Sequence, residues 1–444
     1  METASGVDVL VAGGAAAGLC AAVAARRAGA SVRLVEAAPR AFRGGNTRHA
    51  RNFRIAHDGP APWVPDTYGE DEFLADLLRV TEGDTDQALA RLLIHASTGI
   101  APWLADNGVR LQPLDSGVLP YSRRTVFLLG GGKAMTNALY ATAAALGVTV
   151  SYGSELVGLR IGPDACAAEI AQDGTTEHVT AKTVVVATGG DQADPEALRA
   201  HFGEAAERIV VRGTPYATGR GLRLLHDAGA SPMGETGRGH LVAVDARGPH
   251  VDGGIVTRIT GIPYGIVVDR TGRRLADERA DTRRTHYAQW GPRIAACPGQ
   301  IAYLILDQEG LRRTAPTALP PVTAPTLAEL ARRLGIDPVA LEATLGEFNE
   351  AALARQPATR PIRVTPFAAW PLLPGVTFTH VGIAVDGAMR VVMRDGSPAA
   401  RVYAAGSIMA ANVLRRGYLA GLGVTLAAVS GRIAGEKAAR HAAD

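Results

Sequence analysis

Asp8–Glu36, DVLVAGGAAAGLCAAVAARRAGASVRLVE, decides how the rest of the chain is read. Val7–Ala12 is a short β-branched, apolar run, and Gly13-Gly14-Ala15-Ala16-Ala17-Gly18 follows it. An alanine-rich, helix-favouring segment, Leu19–Ala28, comes next, then a second apolar run, Ser31–Val35, that ends on Glu36. Strand, glycine turn, helix, strand and acid at these distances predict a dinucleotide-binding βαβ unit. Glycines let the backbone turn sharply and approach a pyrophosphate. The helix N-terminus offers N–H groups and a positive dipole end to that anion. The acid accepts hydrogen bonds from ribose hydroxyls. Ala15 stands where the fingerprint has its second glycine, so a methyl crowds the pyrophosphate without abolishing the turn.

Two plainer readings compete. As a signal peptide or membrane helix, the uncharged run Val9–Ala25 has no basic residue before it and is interrupted by Gly-Gly. It also falls short of the ~20 residues a span needs. As a ligand-free strand–helix, it would not need the second strand and acid at their expected places.

The chain of 444 residues is long enough for two or three compact units. Hydrophobic content of 47% and 52 glycines fit an α/β protein rich in tight turns. A net charge of +3, with no basic block interleaved by aromatics, disfavours nucleic acid. Among 46 basic residues the lysines are Lys133, Lys182 and Lys437; the rest are arginine, which grips carboxylates bidentately. Cys20, Cys166 and Cys297 lie far apart without metal or iron–sulfur spacing, which favours a reducing, cytoplasmic compartment.

Further along, Gly44–Arg54 is glycine-rich and polar and follows directly on the nucleotide unit, as a continuation along the ligand would. Apolar spacing predicts helices over 71–80 and 85–107. Gly130-Gly131-Gly132-Lys133 is not a phosphate loop, because Phe127 and Ala134 replace that motif's first glycine and its Ser/Thr. Ala181–Gly190 reads as a strand entering a threonine–glycine turn, and Thr218-Gly219-Arg220-Gly221 opens a helix. After Ser231 the texture changes to short strands, arginine-rich turns and, over 325–357, helices with proline joints. Near Pro374 the first texture returns, with a strand Val402–Gly406 and a last helix, Val424–Ala442.

Seven segments now carry a resemblance: DVLVAGG, LVEAAPRAFRGGNTRHARNFR, LLGGGKAMTNALY, HLVAVDARGPHVDGGIVTR, PGQIAY, PGVTFTHVGIAVD and AANVLRRGYLAGLG. Together they resemble the succinate dehydrogenase/fumarate reductase flavoprotein family, and within it they are similar to its tricarballylate-oxidising members. The resemblance implies an α/β protein: a Rossmann-like (glutathione-reductase-type) FAD-binding domain, 1–232 and 376–444, with an inserted α+β capping domain, 233–375. It implies FAD bound along Gly13, Ala15, Gly18, Glu36, Gly44, Gly45, Asn46, Thr47, Ala50, Arg51 and Leu156. Thr188, Gly189, Gly190, Gly406, Ser407, Gly421, Gly423 and Val424 would close the far side. Asn46 takes the place of the histidine of covalently flavinylated relatives, so the FAD is expected to be non-covalent.

Family chemistry moves a hydride between flavin N5 and a carbon β to a carboxylate, while an acid/base moves the α-proton. It needs cations for carboxylates, a proton acceptor and exclusion of water. Tyr418, Arg283 and His240 are the catalytic candidates; Arg258, Arg416 and His380 are the substrate-binding ones. Tyr418 resembles the tyrosine–glycine motif of ketosteroid dehydrogenases. Asp281-Thr282-Arg283 resembles the fumarate reductases' Thr-Thr-Arg, one residue further from Glu278. Arg258 matches the tricarballylate-oxidising members where fumarate reductases carry an acid. The expected function is an FAD-dependent dehydrogenase (desaturase) of a small polycarboxylic acid, tricarballylate-to-aconitate type, with an external electron acceptor and no membrane span. The alternatives are an enoate reductase of the fumarate type, or a flavin monooxygenase or biosynthetic flavoprotein acting on a bulkier acid.

Overall fold

The computed structural model describes residues 6–115, 122–279, 286–354 and 360–444. Strand β1 (Gly6–Ala12), helix α1 (Ala16–Arg27) and strand β2 (Val32–Glu36) form in the expected order. β1 pairs in parallel with β2, Val9 opposite Val32, and with Thr175–Val186, Val11 opposite Val185. Pro398–Ala404 and Thr149–Tyr152 extend the parallel sheet on its two sides. Val9, Leu10, Val11 and Ala12 are wholly buried. Strands of a parallel sheet lose both faces to helices, which is why they read as unbroken apolar runs.

Strand Thr175–Val186 starts earlier than the expected Ala181. Its first half pairs antiparallel with Cys166–Gln172, which in turn pairs with Ser154–Ile161. Thr175–His178 is exposed and polar, so no hydrophobic pattern announced it. The helix expected over 85–107 is two helices, Gln87–Ser97 and Ile100–Asp106. Pro102 has no N–H to give and fits the first turn of a helix, so the chain restarts at Gly99.

The chain forms two compact units. One comprises Met1–His201, Thr214–Gly239 and Phe378–Asp444; the other comprises Phe202–Gly213 and His240–Thr377. The second therefore begins and ends a few residues later than the expected 233–375, and it gains a short early segment. That segment joins it because Val210 and Val211 pair with Gly375 and Val376. Its sheet of Ile266–Asp269, Ala302–Leu306, Phe367–Ile383 and Pro232–Asp245 is antiparallel where those first three strands pair. Alternate residues face two cores. Ile266, Val268, Ile305 and Ala369 meet the helices Leu327–Leu334 and Pro338–Ala354. Val267, Leu304, Leu306 and Trp370 meet Trp290 and Ile294 of the helix Trp290–Ala296. Among the described residues, no helix is long and apolar enough to cross a membrane.

In the first unit the C-terminal helix, Leu422–Ala443, packs on α1 at backbone distance. A Cβ on Gly431 would strike the carbonyl of Ala17, and one on Gly435 the carbonyl of Ala21. Gly431→Val should therefore separate the helices; we expect urea unfolding to show a loss of about 1–3 kcal/mol.

Candidate active site

A groove opens at the carboxyl ends of the parallel strands, where such sheets bind ligands. Gly13, Ala15, Glu36, Gly45, Leu156 and Thr188 line it. Gly13 has φ +106°, and a Cβ there would run into the carbonyl of Ala187, so this turn admits no side chain. The methyl of Ala15 points past the turn toward Gly45, where a Cβ would come within 3.0 Å of it. Gly18 is buried in α1 against Gly13, and its part is close packing rather than lining.

Glu36 sits at the carboxyl end of β2, 6% exposed, and accepts the N–H groups of Gly14 (2.9 Å) and Ala38 (2.8 Å). Burial pushes its pKa up, and these N–H donors work against that. The Tyr140 hydroxyl donates to the carbonyl of Gly14 (2.8 Å), bracing the turn from behind. Thr47 accepts the N–H of Ala16 (3.1 Å), and Asn46 accepts that of Thr214 (2.8 Å). Asn46 thus ties the Gly44–Arg54 run to the loop 214–218, which lines the groove. Ala50 accepts the N–H of Gly132 (2.7 Å), and the Arg51 guanidinium lies over Phe127, 5.7 Å from the ring centroid. Sequence reasoning missed Ser154, Glu155, Thr214, Tyr216 and Thr218–Gly221 of the lining. The Thr-Gly-Arg-Gly turn that opens a helix was the available signal.

The far-side residues gather in the same unit. Gly189 lies near Ser407, where a Cβ would come within 3.6 Å of the serine Oγ. Gly190 precedes Asp191, which accepts from the Thr379 hydroxyl (2.5 Å) and pairs with His201 (2.7 Å). Gly406 donates its N–H to Ser430 (2.9 Å), and Gly421, φ +84°, caps the C-terminal helix. Arg54 holds this cap. Its Nε donates to Ala420 (3.0 Å), and its Nη1 reaches the Tyr68 hydroxyl (2.6 Å) and Asp76 (3.3 Å), all deeply buried.

Tyr418 precedes that cap, and its hydroxyl oxygen accepts the N–H of Gly423 (3.3 Å). Its ring meets Phe378 edge-on at 6.0 Å, and Phe378 lies 5.6 Å from His380. His380 is 1% exposed, and burial lowers its pKa to about 4, with the Arg238 charge adding to the effect and the Arg415 backbone opposing it. It is a neutral imidazole at pH 7 and cannot anchor a carboxylate by charge. Arg416 pairs with Glu82 and Asp84, and Arg415 with Asp84 as well, so both guanidinium groups are already engaged. In the second unit His240 is buried on Pro232–Asp245, and Arg258 lies 4.4 Å above the Tyr287 ring centroid. Arg283 lies outside the described residues.

The family model described as an FAD binding domain matches residues 8–424. The chain is 26% identical over 466 residues to "Probable fumarate reductase Ifc3" of Shewanella frigidimarina, covering 98% of this chain and 75% of that protein. A solved flavocytochrome c3 fumarate reductase in an open conformation superposes with a TM-score of 0.78 at 22% identity, over 100% of this chain and 80% of that one. A 3-ketosteroid Δ1-dehydrogenase from Sterolibacterium denitrificans superposes with 0.79 at 18% identity, over 98% and 99%. These two likenesses carry the fold: a Rossmann-like FAD domain with a capping domain. The groove fits FAD, since its glycine turn bars side chains and a buried acid waits at the end of β2.

Glu36→Gln removes a charged acceptor at the ribose position, and FAD should bind about 10–100-fold more weakly, read from flavin fluorescence on dilution. His380 generates a pH effect. Its pKa is depressed in the fold, so its stabilising contribution is present above 6.5 and lost as pH falls to about 4. The difference in unfolding free energy between wild type and His380→Leu should change by roughly 3 kcal/mol across that window.

Proposed function

The chain belongs to the FAD binding domain family, and from that we propose that it oxidises a CH–CH bond next to the carboxyl carbon of a small carboxylic acid. The single observation that carries this is Tyr418, whose oxygen accepts the Gly423 N–H at the N-terminus of the C-terminal helix. An N–H and the positive end of a helix favour the phenolate, so Tyr418 can take the proton leaving the carbon next to the carboxyl group. FAD, held non-covalently, supplies the two-electron acceptance when bound. Gly13, Glu36 and Gly45 would hold its adenosine and phosphates, and Gly421 with Val424 would border its ring. Arg258 and His240 bind carboxylate, which favours a polycarboxylate and makes tricarballylate the first acid to test. Electrons then pass to an external acceptor.

A second reading runs the bond the other way, as an enoate reductase, with Tyr418 donating its proton. The relatives' names favour it, among them "NADH:fumarate oxidoreductase" of Klebsiella pneumoniae and "NADH:acrylate oxidoreductase" of Vibrio harveyi. Anaerobic mixing of the oxidised enzyme with tricarballylate and related acids should bleach the flavin absorbance. Mixing of the reduced enzyme with the matching enoates should restore it, and the faster arm gives the direction. Tyr418→Phe should slow both by about 100-fold with FAD retained; a wild-type rate in that variant rules Tyr418 out as the proton carrier.

A further inference from the structure

We propose that Tyr287 is the residue that orients Arg258 without a carboxylate partner among the described residues, so that the second unit recognises a ligand carboxylate. The inference rests on the reading of Arg258 and His240 as carboxylate-binding residues. Three observations place Tyr287 in this position.

The first is where its ring sits. Side chains alternate along a strand, so His240, Val242 and Val244 share one face of Pro232–Asp245. Val242 and Val244 form a small core with Val210 and Leu373, and Tyr287 packs against it. From there the ring meets His240 at 6.0 Å and 65°. The second is how Arg258 arrives. Its backbone bridges to Val244, and the next N–H, of Ile259, donates to Ala243 (3.1 Å). That pins the start of the side chain, whose guanidinium carbon stands 4.4 Å from the Tyr287 centroid.

The third is charge. Arg247, Arg274 and Arg360 of the same unit are neutralised by Asp245, Glu278 and Asp307. Arg258 has no carboxylate partner among the described residues, and its Nε is buried without a hydrogen bond among them. An aromatic face attracts a cation through its quadrupole and leaves the charge intact. A carboxylate in its place would have to be displaced before an anion could bind. Tyr287 orients the fork without consuming it, and a planar carboxylate matches that fork bidentately.

Citrate is the probe, titrated calorimetrically into oxidised holoenzyme in a carboxylate-free buffer. Wild type should bind it, Arg258→Gln at least 10-fold more weakly, Tyr287→Phe within about 2-fold of wild type, and Tyr287→Leu about 5–20-fold more weakly. Fluorinated phenylalanines at position 287 keep the ring's shape and drain its face of charge. Binding should weaken stepwise with each added fluorine, which a merely structural ring would not produce. Should Tyr287→Leu fail to fold, the fluorinated series decides alone. Unchanged affinity across that series, or no citrate binding to the wild type, overturns the proposal. The measurement is an equilibrium on the oxidised enzyme, so a failure of the Tyr418 test leaves it standing, and its own failure leaves Tyr418 untouched.

Discussion

The nucleotide groove depends on how closely two helices from opposite ends of the chain approach each other. Gly431 and Gly435 of the C-terminal helix rest on the backbone of Ala17 and Ala21 of α1, and Gly406 presses on Ala17 from beside them. Both contacts advance together along the two helices, so the helices run parallel and present their N-termini at the same end. Gly431 aligns with Ala17, which puts the start of the C-terminal helix at Leu422 eight residues, or roughly 12 Å, beyond the start of α1 at Ala16. Two positive helix ends offset in this way suit an extended dinucleotide. The spacing is fixed by packing, because a side chain at either glycine would have to push the backbones apart.

Arginine dominates the basic residues, and around the last glycine turn the fold engages its charge. Arg54 is buried with Asp76 and Tyr68, and it spends its Nε on the carbonyl that precedes Gly421. Removing one partner of such a pair strands the other charge in the interior, at about 3–5 kcal/mol. This arginine is therefore part of the frame that locates Tyr418 and Gly423. Arg415 and Arg416 are claimed by Asp84 and Glu82, and His380 is kept neutral by burial. The Tyr418 ring thus meets the ring of Phe378, which in turn meets the uncharged imidazole of His380.

The βαβ unit was legible because each of its parts follows a local rule: an apolar strand, a glycine turn and an acid at the strand end. The end of the chain was legible for the same reason, through Gly421 and Gly423. Thr175–Thr180 was not, because an antiparallel strand mostly open to water carries no hydrophobic signal. That Val210 and Val211 join the second unit was not legible, because they do so by pairing across more than 160 residues of chain. Asn46 was expected on the cofactor by resemblance, and its bond to Thr214 is a tertiary fact that spacing cannot show. Arg416 looked available in sequence, and what occupies it is Glu82 and Asp84 on a distant segment. Tyr287 carries no motif, and its meaning comes from the strand face it covers.

A single fold that serves both fumarate reduction and steroid dehydrogenation constrains the cofactor and leaves the substrate to side chains. Here the residue before the last glycine turn is a phenol. A phenol gives up and regains its proton far more readily than a guanidinium does, and the Tyr418 oxygen already accepts a backbone N–H at the start of a helix. On the proposed reading, Tyr418 would serve a carbon acid in either direction, so it speaks to the class of bond and not to the direction of flow. Direction follows from the partner that takes or gives electrons, whereas the choice of substrate falls to whichever cation is left with its charge exposed. In the second unit, among the described residues, the aromatic seat under Arg258 leaves it in that state.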